Sequence, residues 1–247
     1  MTIDIYGGKR EEECRDFLLS SGALSAFSSA VILPIPSTRD GTYITGTTVL
    51  LSSVFERDGG LIAGYGMGAG FINEARERGF QVIDIKDDGD FTEENARLTA
   101  ECTLAYIMNH SEAALGEMSV CIVGYGRIGR TLAEMLLFFG TRVAVITRRE
   151  SVKMELLFSG VDACLVSEAE LSSYDILVNT APSRLFTKKQ CERIRGTVIE
   201  LAPGDNLEWV ENLTRLPSLP AKMLPISGGR AYARAVLRGL ENLEKCK

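Results

Sequence analysis

The chain has 247 residues, room for one large domain or two small ones, and its 45% hydrophobic content requires a buried core. A net charge of −6 argues against a general nucleic-acid binder; no apolar run reaches membrane-spanning length and no signal-peptide pattern opens the chain, so a cytoplasmic protein with neither nucleic-acid nor membrane partners is expected. Cys14, Cys102, Cys121, Cys164, Cys191 and Cys246 form no C-x-x-C pair and read as reduced thiols, and the single histidine, His110, excludes a His-rich metal site or a two-histidine mechanism; no metal is expected.

In chain order, Ile3–Tyr6 reads as a strand, Gly7–Gly8 as its turn, and Lys9 to Ser20 as a charged helix. Val31–Leu33 is a second strand, ended by Pro34 and Pro36 and followed by the loop Ser37–Thr38–Arg39–Asp40–Gly41. Thr47 to Phe55 is ambiguous between strand and short helix. Gly60–Ala63 is a buried strand that enters a glycine loop, Gly64 to Gly70, then a helix over Phe71–Arg78 and a strand over Gln81–Asp84. This loop competes as a nucleotide site, because Asp84 closes the next strand where a ribose-binding acid would lie. Its many glycines and short helix favour a ligand-facing wall or a plain turn. Lys86 to Thr92 reads as a loop with Thr92 as N-cap, and Glu93 to Ala114 as a long helix.

The stretch Ser119–Gly129 is the strongest signal. An apolar strand runs into Gly124–Tyr125–Gly126–Arg127–Ile128–Gly129, a helix carries Leu132, Ala133, Leu136 and Leu137, and Gly140 precedes a second strand, Val143–Ile146. Gly124 permits the tight turn, Gly126 the approach of a pyrophosphate, and Gly129 the close packing of helix on strand. A strand–helix–strand context makes this a dinucleotide site rather than an ordinary turn. NAD-specific folds end the second strand in an acid; here it ends Thr147–Arg148–Arg149, so NADP(H) is expected over NAD(H). Further on lie a helix near Val152–Phe158, strands at Ala163–Val166 and Asp175–Val178, the loop Asn179–Ser183, a helix at Lys188–Ile194 and a strand at Thr197–Leu201. An extended linker over Leu216–Pro220 leads to a final helix, Ser227 to Leu243.

Several of these stretches together resemble one family, the A subunits of dipicolinate synthase. They are Val31–Pro36 with Thr38–Gly41; Asn95, Thr99 and Glu101 in an Asn-x-x-x-Thr-x-Glu pattern; the fingerprint Gly124–Gly129; Asn179–Ser183; and Leu219–Pro220 with Pro225–Gly229. The departures are a shorter region before Val31, Cys102 in place of a glycine, and Leu216–Pro217–Ser218 and Ala221 against an Ala-Pro-Gly-Leu-Pro-Gly pattern. The resemblance implies a pyridine nucleotide, a small cyclic dicarboxylate derived from the lysine pathway and a flavoprotein partner subunit. It also moves Glu101 from a solvated helix charge to a cleft residue.

The expectation is therefore an α/β protein of two Rossmann-like parallel-sheet domains with a cleft between them. Residues 1–92 form a flavodoxin/Rossmann-like substrate domain, 93–116 a connecting helix, 117–226 the NAD(P)-binding domain, and 227–247 a C-terminal helix that packs back on the first domain. Ser37, Thr38 and Arg39 would hold one substrate carboxylate and the amides of Gly66 and Gly68 the other. Glu101 would act as acid–base, its pKa raised in the closed cleft, and the nicotinamide would reach Thr180–Ala181–Pro182. A homo-oligomer, a dimer, is expected. One alternative is a D-2-hydroxyacid-dehydrogenase-like enzyme, which would want an acid–base histidine late in the cofactor domain, and none follows His110. The other is a non-catalytic, nucleotide-binding sensor subunit.

Overall fold

The computed structural model describes residues 2–204, 206–207 and 210–245. It divides into two compact units, 1–95 with 220–247, and 96–219.

The first unit is built on four parallel strands in the order β1 (Thr2–Ile5), β2 (Ser29–Ile32), β3 (Gly60–Gly64), β4 (Phe80–Asp84). Side chains alternate across the sheet with period two, so neighbours in β2 and β3 serve opposite faces. Ile32 and Leu61 pack with Cys14 and Leu18 of α1 (Lys9–Ser20) and with Tyr232 and Val236 of α8 (Pro225–Lys245). Val31 and Ile62 pack on the other face with Ala75 of α2 (Ala69–Glu77) and with Leu51 and Val54. Both faces are covered, which is why these strands read as unbroken apolar runs. The final helix docks on the first sheet's unit as expected. A Cβ on Gly229 would lie 2.5 Å from the Arg10 carbonyl, so Gly229 is what lets α8 lie against α1. Arg238 then ties α8 to the start of α3 (Gly89–His110) through Asp88 at 2.6 Å.

The second unit holds six parallel strands in the order β7 (Asp162–Leu165), β6 (Arg142–Thr147), β5 (Ser119–Val123), β8 (Ile176–Asn179), β9 (Thr197–Glu200), β10 (Leu213–Arg215). This is the doubly wound order of dinucleotide-binding folds, with its switch point between β5 and β8. Val120 and Ile122 pack on Leu132 and Leu136 of α4 (Arg127–Phe138) and on Val152 and Leu156 of α5 (Glu150–Phe158). Cys121 and Val123 face Phe186 and Cys191 on the other side.

Of the two alternatives for Thr47–Phe55, strand or short helix, the structure has the helix: Leu51–Glu56 is a 3-10 helix, preceded by a bridge between Tyr43 and Leu50. The structure departs from the sequence expectation in four places. The long helix begins at Gly89, because the Asp88 carboxylate accepts the Phe91 N–H at 2.7 Å; Thr92, read as the cap, lies inside and donates its hydroxyl to the Asp88 carbonyl. That helix ends at His110. The helix near Lys188 is a single turn, α6 (Lys188–Cys191), capped by Thr187 and Gln190 reciprocally. Around the Leu216–Pro220 linker the chain forms β10 before it and a short helix, α7 (Leu219–Met223), at its end. Ser218, which stands where the resembled pattern has glycine, adopts φ +57°, the left-handed region that glycine enters without steric cost. The five described cysteines are free thiols, and Cys246 lies outside the described residues. Among the described residues no helix is long and apolar enough to cross a membrane.

Candidate functional site

The switch point of the second sheet is where a continuous apolar strand delivers the chain into a glycine turn. Gly124 leaves β5 at φ +94°, and its N–H donates to the Ile146 carbonyl of β6 at 2.8 Å. A Cβ on Gly129 would lie 2.2 Å from the Gly124 carbonyl oxygen, so only glycine allows α4 to start this close to the strand. A Cβ on Gly126 would meet nothing within 4 Å, and no side chain caps the α4 N-terminus that Gly126 opens. Open space beside an uncapped helix start suits an anion, which backbone N–H groups and the helix dipole both favour.

The neighbouring strand supplies cations. Thr147 is buried and accepts the Arg149 N–H at 3.2 Å, and the Arg149 guanidinium donates to the Tyr125 carbonyl at 3.2 Å, linking the end of β6 to the fingerprint loop. Arg148 is exposed, has no partner among the described residues, and borders a cavity of about 420 Å³ with Val166, Ser167 and Gln190. On the far side of the switch point, Thr180 donates its hydroxyl to the Val123 carbonyl at 3.0 Å, half-buried beside Gly124; Ala181 is half-buried and Pro182 exposed. The structure thus brings together Gly124, Tyr125, Gly126, Arg127, Ile128, Gly129, Thr147, Arg148, Arg149 and Thr180–Pro182 at one end of one sheet. These residues fit a pyridine dinucleotide.

One residue there was not singled out in the sequence. Glu200 ends β9 in register with Asn179 of β8, and Asn179 donates to its Oε1 at 2.8 Å; the Ala202 N–H donates to the same oxygen at 3.1 Å. Asn179 in turn holds the next turn, accepting the Ala181 N–H at 3.1 Å and donating to the Ala181 carbonyl at 3.2 Å. Glu200 is 2% exposed and its Oε2 is buried with no hydrogen-bond partner among the described residues, while the Asn206 side chain beside the carboxyl lowers its pKa. Burial pushes this carboxyl above the ordinary carboxylate range, against the lowering effect of the bonds from Asn179 and Ala202. Its signal in the sequence is a lone acid at the C-terminal end of Thr197–Val198–Ile199–Glu200, where ligands of open α/β sheets bind.

The first unit's loops are less open than expected. The Ser37 side chain is fully buried: its hydroxyl donates to the Pro34 carbonyl at 3.1 Å and accepts the Tyr65 N–H at 2.7 Å. Its single proton is already placed, which corrects its role as a donor to a substrate carboxylate. The Gly66 amide is also committed. Asp84, in register with Gly64, accepts the N–H of Gly66 at 2.8 Å and of Met67 at 2.9 Å. The acid that looked like a ribose ligand closes its own loop. Thr38 accepts the Gly41 N–H at 2.9 Å and faces Asp40, whose carboxyl is held below the usual range by the N–H groups of Tyr43 and Thr42. Arg39 is exposed, with no partner among the described residues. Gly68 opens α2 at φ +85°.

Glu101 lies midway along α3, partly exposed, its carboxylate paired with Arg97 one turn earlier. His110 stacks on Tyr106, ring centroids 3.9 Å apart, with Nδ1 at 2.8 Å from the Tyr106 carbonyl, a structural engagement.

Residues 106–196 match the sequence profile of the D-isomer specific 2-hydroxyacid dehydrogenase, NAD binding domain. The A subunit of dipicolinate synthase from Bacillus subtilis (strain 168) is 21% identical over 183 residues, 70% of this chain. That match spans 62% of the relative's length, less than two thirds. The crystal structure of the Bacillus subtilis dipicolinate synthase A chain superposes with a TM-score of 0.79 at 18% identity, covering 100% of this chain and 97% of that one. Its counterpart from Bacillus halodurans gives 0.76 at 20% identity, covering 96% of both chains. A D-lactate dehydrogenase from Sporolactobacillus sp gives 0.60 at 12% identity, covering 100% of this chain and 97% of that one. The chain resembles the dipicolinate synthase A subunits, as its motifs imply, and shares the α/β fold of these dehydrogenases.

Proposed function

We propose that this chain is a homo-oligomeric oxidoreductase that prefers NADP(H) to NAD(H), acts on a small cyclic dicarboxylate derived from the lysine pathway, and works with a flavoprotein partner. The observation that carries the cofactor choice is the end of β6. Two arginines stand where a ribose-binding acid would repel a 2′-phosphate, and one of them is already tied to the fingerprint loop. The bound nicotinamide would supply or accept the hydride. The protein's part is to seat the pyrophosphate on Gly124–Gly129, the 2′-phosphate on Arg148 and Arg149, and the ring beside Thr180–Pro182. Arg39 and the Gly68 amide are its carboxylate donors in the first unit, and Glu101 is the acid–base.

Charged hydrogen bonds of the Arg–phosphate kind contribute about 1.5–3 kcal/mol each, so NADPH should bind about tenfold or more tighter than NADH. Calorimetric titration of both cofactors tests this. Equal affinities, or no loss in the double variant Arg148→Ala/Arg149→Ala, refute the preference. The reaction is tested by following NADPH absorbance with NADP⁺ and enzymatically generated hydroxytetrahydrodipicolinate, with and without a flavoprotein partner. One observation favours a second reading, a non-catalytic nucleotide-binding subunit: the Glu101 carboxylate is occupied by Arg97 and partly open to solvent. Tight NADPH binding without turnover in any mixture would establish that reading, and turnover unchanged in Glu101→Gln would remove Glu101 alone.

A further inference from the structure

Strands β8 and β9 pair in register from Ile176 opposite Thr197 to Asn179 opposite Glu200, and the Leu201 N–H extends the ladder to the Asn179 carbonyl at 3.0 Å. The backbone therefore joins these strands without help from the side chains at their ends. Those side chains are nevertheless polar, buried and bonded to each other. Glu200 Oε1 accepts Asn179 Nδ2 at 2.8 Å and the Ala202 N–H at 3.1 Å, so one oxygen gathers the turns that follow both strands. Asn179 passes the connection on to Ala181: its Oδ1 accepts the Ala181 N–H at 3.1 Å, and its Nδ2 donates to the Ala181 carbonyl at 3.2 Å. Thr180 is anchored separately, its N–H and its hydroxyl both donating to the Val123 carbonyl of β5, at 2.9 and 3.0 Å. Turning the Asn179 amide over would set Oδ1 against Glu200 Oε1 and the Ala181 carbonyl, and Nδ2 against the Ala181 N–H, so every one of these contacts would become repulsive. Glu200 is the acceptor outside the turn that selects the observed orientation. Burying two polar side chains costs free energy that well-packed apolar ones of similar size would not, so stability alone does not account for the pair. Asn179 and Glu200 are each 2% exposed, which keeps both off any ligand. What they set is the course of the more open part of the turn, Ala181 and Pro182.

We infer that Glu200 is a positioning residue for the nicotinamide end of the cofactor: through Asn179 it fixes the backbone of the turn Thr180–Pro182, against which the ring would lie. The inference rests on the oxidoreductase reading, which puts the ring there, and adds to it a residue that touches neither cofactor nor substrate. The role needs an acceptor oxygen at Oε1 and not a charge. A glutamine carbonyl can take the same two donors and preserves it; an apolar side chain removes it.

The test is calorimetric titration of the full chain with NADPH and with 2′-phospho-ADP-ribose, the same molecule without its nicotinamide, together with the fluorescence of bound NADPH. Wild type should bind NADPH more tightly than the fragment. Glu200→Leu and Asn179→Leu should each lower NADPH affinity about threefold to tenfold and leave the fragment within about twofold of wild type. Both should shift the emission of bound NADPH toward that of the free cofactor. The double variant should lose no more than either single one, because both act through one chain of bonds. Glu200→Gln should bind both ligands as wild type does. NADPH affinity and emission unchanged in Glu200→Leu overturn the inference and leave the oxidoreductase reading standing. An equal loss for NADPH and fragment also overturns it, since the pair then only holds the unit together. Should Glu200→Leu fail to fold, Asn179→Asp replaces it, keeping Oδ1 for Ala181 while removing the donor to Glu200, and unchanged NADPH binding there is equally fatal. Wild type that binds the two ligands alike would strike the placement of the nicotinamide itself, and this inference with it.

Discussion

The glycine loop at 64–70 in the first unit and the one at 124–129 in the second begin alike and end differently. Each follows a buried parallel strand, opens a helix, and lies beside the end of the next strand in the sheet. In the first, that next strand ends in Asp84, whose carboxylate takes the amides of Gly66 and Met67. In the second it ends in Thr147–Arg148–Arg149, and the nearest side chain donates to a loop carbonyl rather than accepting from its amides. One charge at one strand end separates a loop sealed by its own protein from a loop open to an external anion. Backbone geometry alone does not keep a glycine loop open; in the first loop the acid one strand over is turned onto the loop's own amides.

That contrast can be broken first at the glycines. Gly129→Ala puts a Cβ 2.2 Å from a backbone oxygen, which forces α4 away from β5. It should cost about 1–3 kcal/mol of stability in urea unfolding and abolish NADPH binding. Gly66→Ala meets nothing within 4 Å and carries only the strain of φ +68°, about 1–2 kcal/mol, with NADPH affinity intact. Equal loss of cofactor affinity in the two variants would erase the distinction between the loops.

It can next be reversed. Arg149→Asp gives the second loop the first loop's chemistry, and the ratio of NADPH to NADH affinity should fall by about tenfold to a hundredfold. An unchanged ratio would assign the 2′-phosphate elsewhere. In the other direction, Asp84→Ala strips two loop amides of their acceptor, so the first unit should lose about 1–3 kcal/mol in chemical denaturation with no change in cofactor binding.

The smallest effect concerns pH. Glu200 is buried and its pKa is raised above the ordinary 4.5, so the folded state favours the protonated acid more than the unfolded chain does. Its contribution to stability is complete below pH 4.5 and is lost as pH climbs through the raised value. Thermal unfolding of wild type should show that decline above pH 4.5, and Glu200→Gln, which is neutral throughout, should flatten it. A parallel decline in both proteins would mean that Glu200 does not titrate there.

These particulars also mark what a single chain of letters can disclose. The β5–α4–β6 unit was legible because its signals are local: an apolar run, three glycines at fixed spacing and a helical period following at once. The start of α3 was misread because Asp87, Asp88, Asp90 and Thr92 are all competent caps within six positions, and only the fold selects Asp88. Strand β10 was missed because Leu213–Thr214–Arg215 is too short and polar to show a period. The sealing of Gly66 by Asp84, the Arg149–Tyr125 link and the Glu200–Asn179 pair span 18, 24 and 21 positions. Each depends on strand register, which places Gly64 beside Asp84 and Asn179 beside Glu200 and is not written in either segment alone.

The docking of α8 has a consequence for how the chain is made. The first unit needs residues 220–247 as well as 1–95, whereas the second is contiguous. At synthesis rates of about 5–20 residues per second, the interval between the emergence of Asp84 and that of Tyr232 is on the order of ten seconds. Through that interval Ile32, Leu61 and Ile83 lack the helix that covers them in the finished protein. The 96–219 segment is complete before α8 leaves the ribosome. The unit whose first strand is translated earliest is therefore the last to close, and a nascent chain stalled before Pro225 presents the part of one apolar sheet face that α1 does not cover to whatever chaperone meets it.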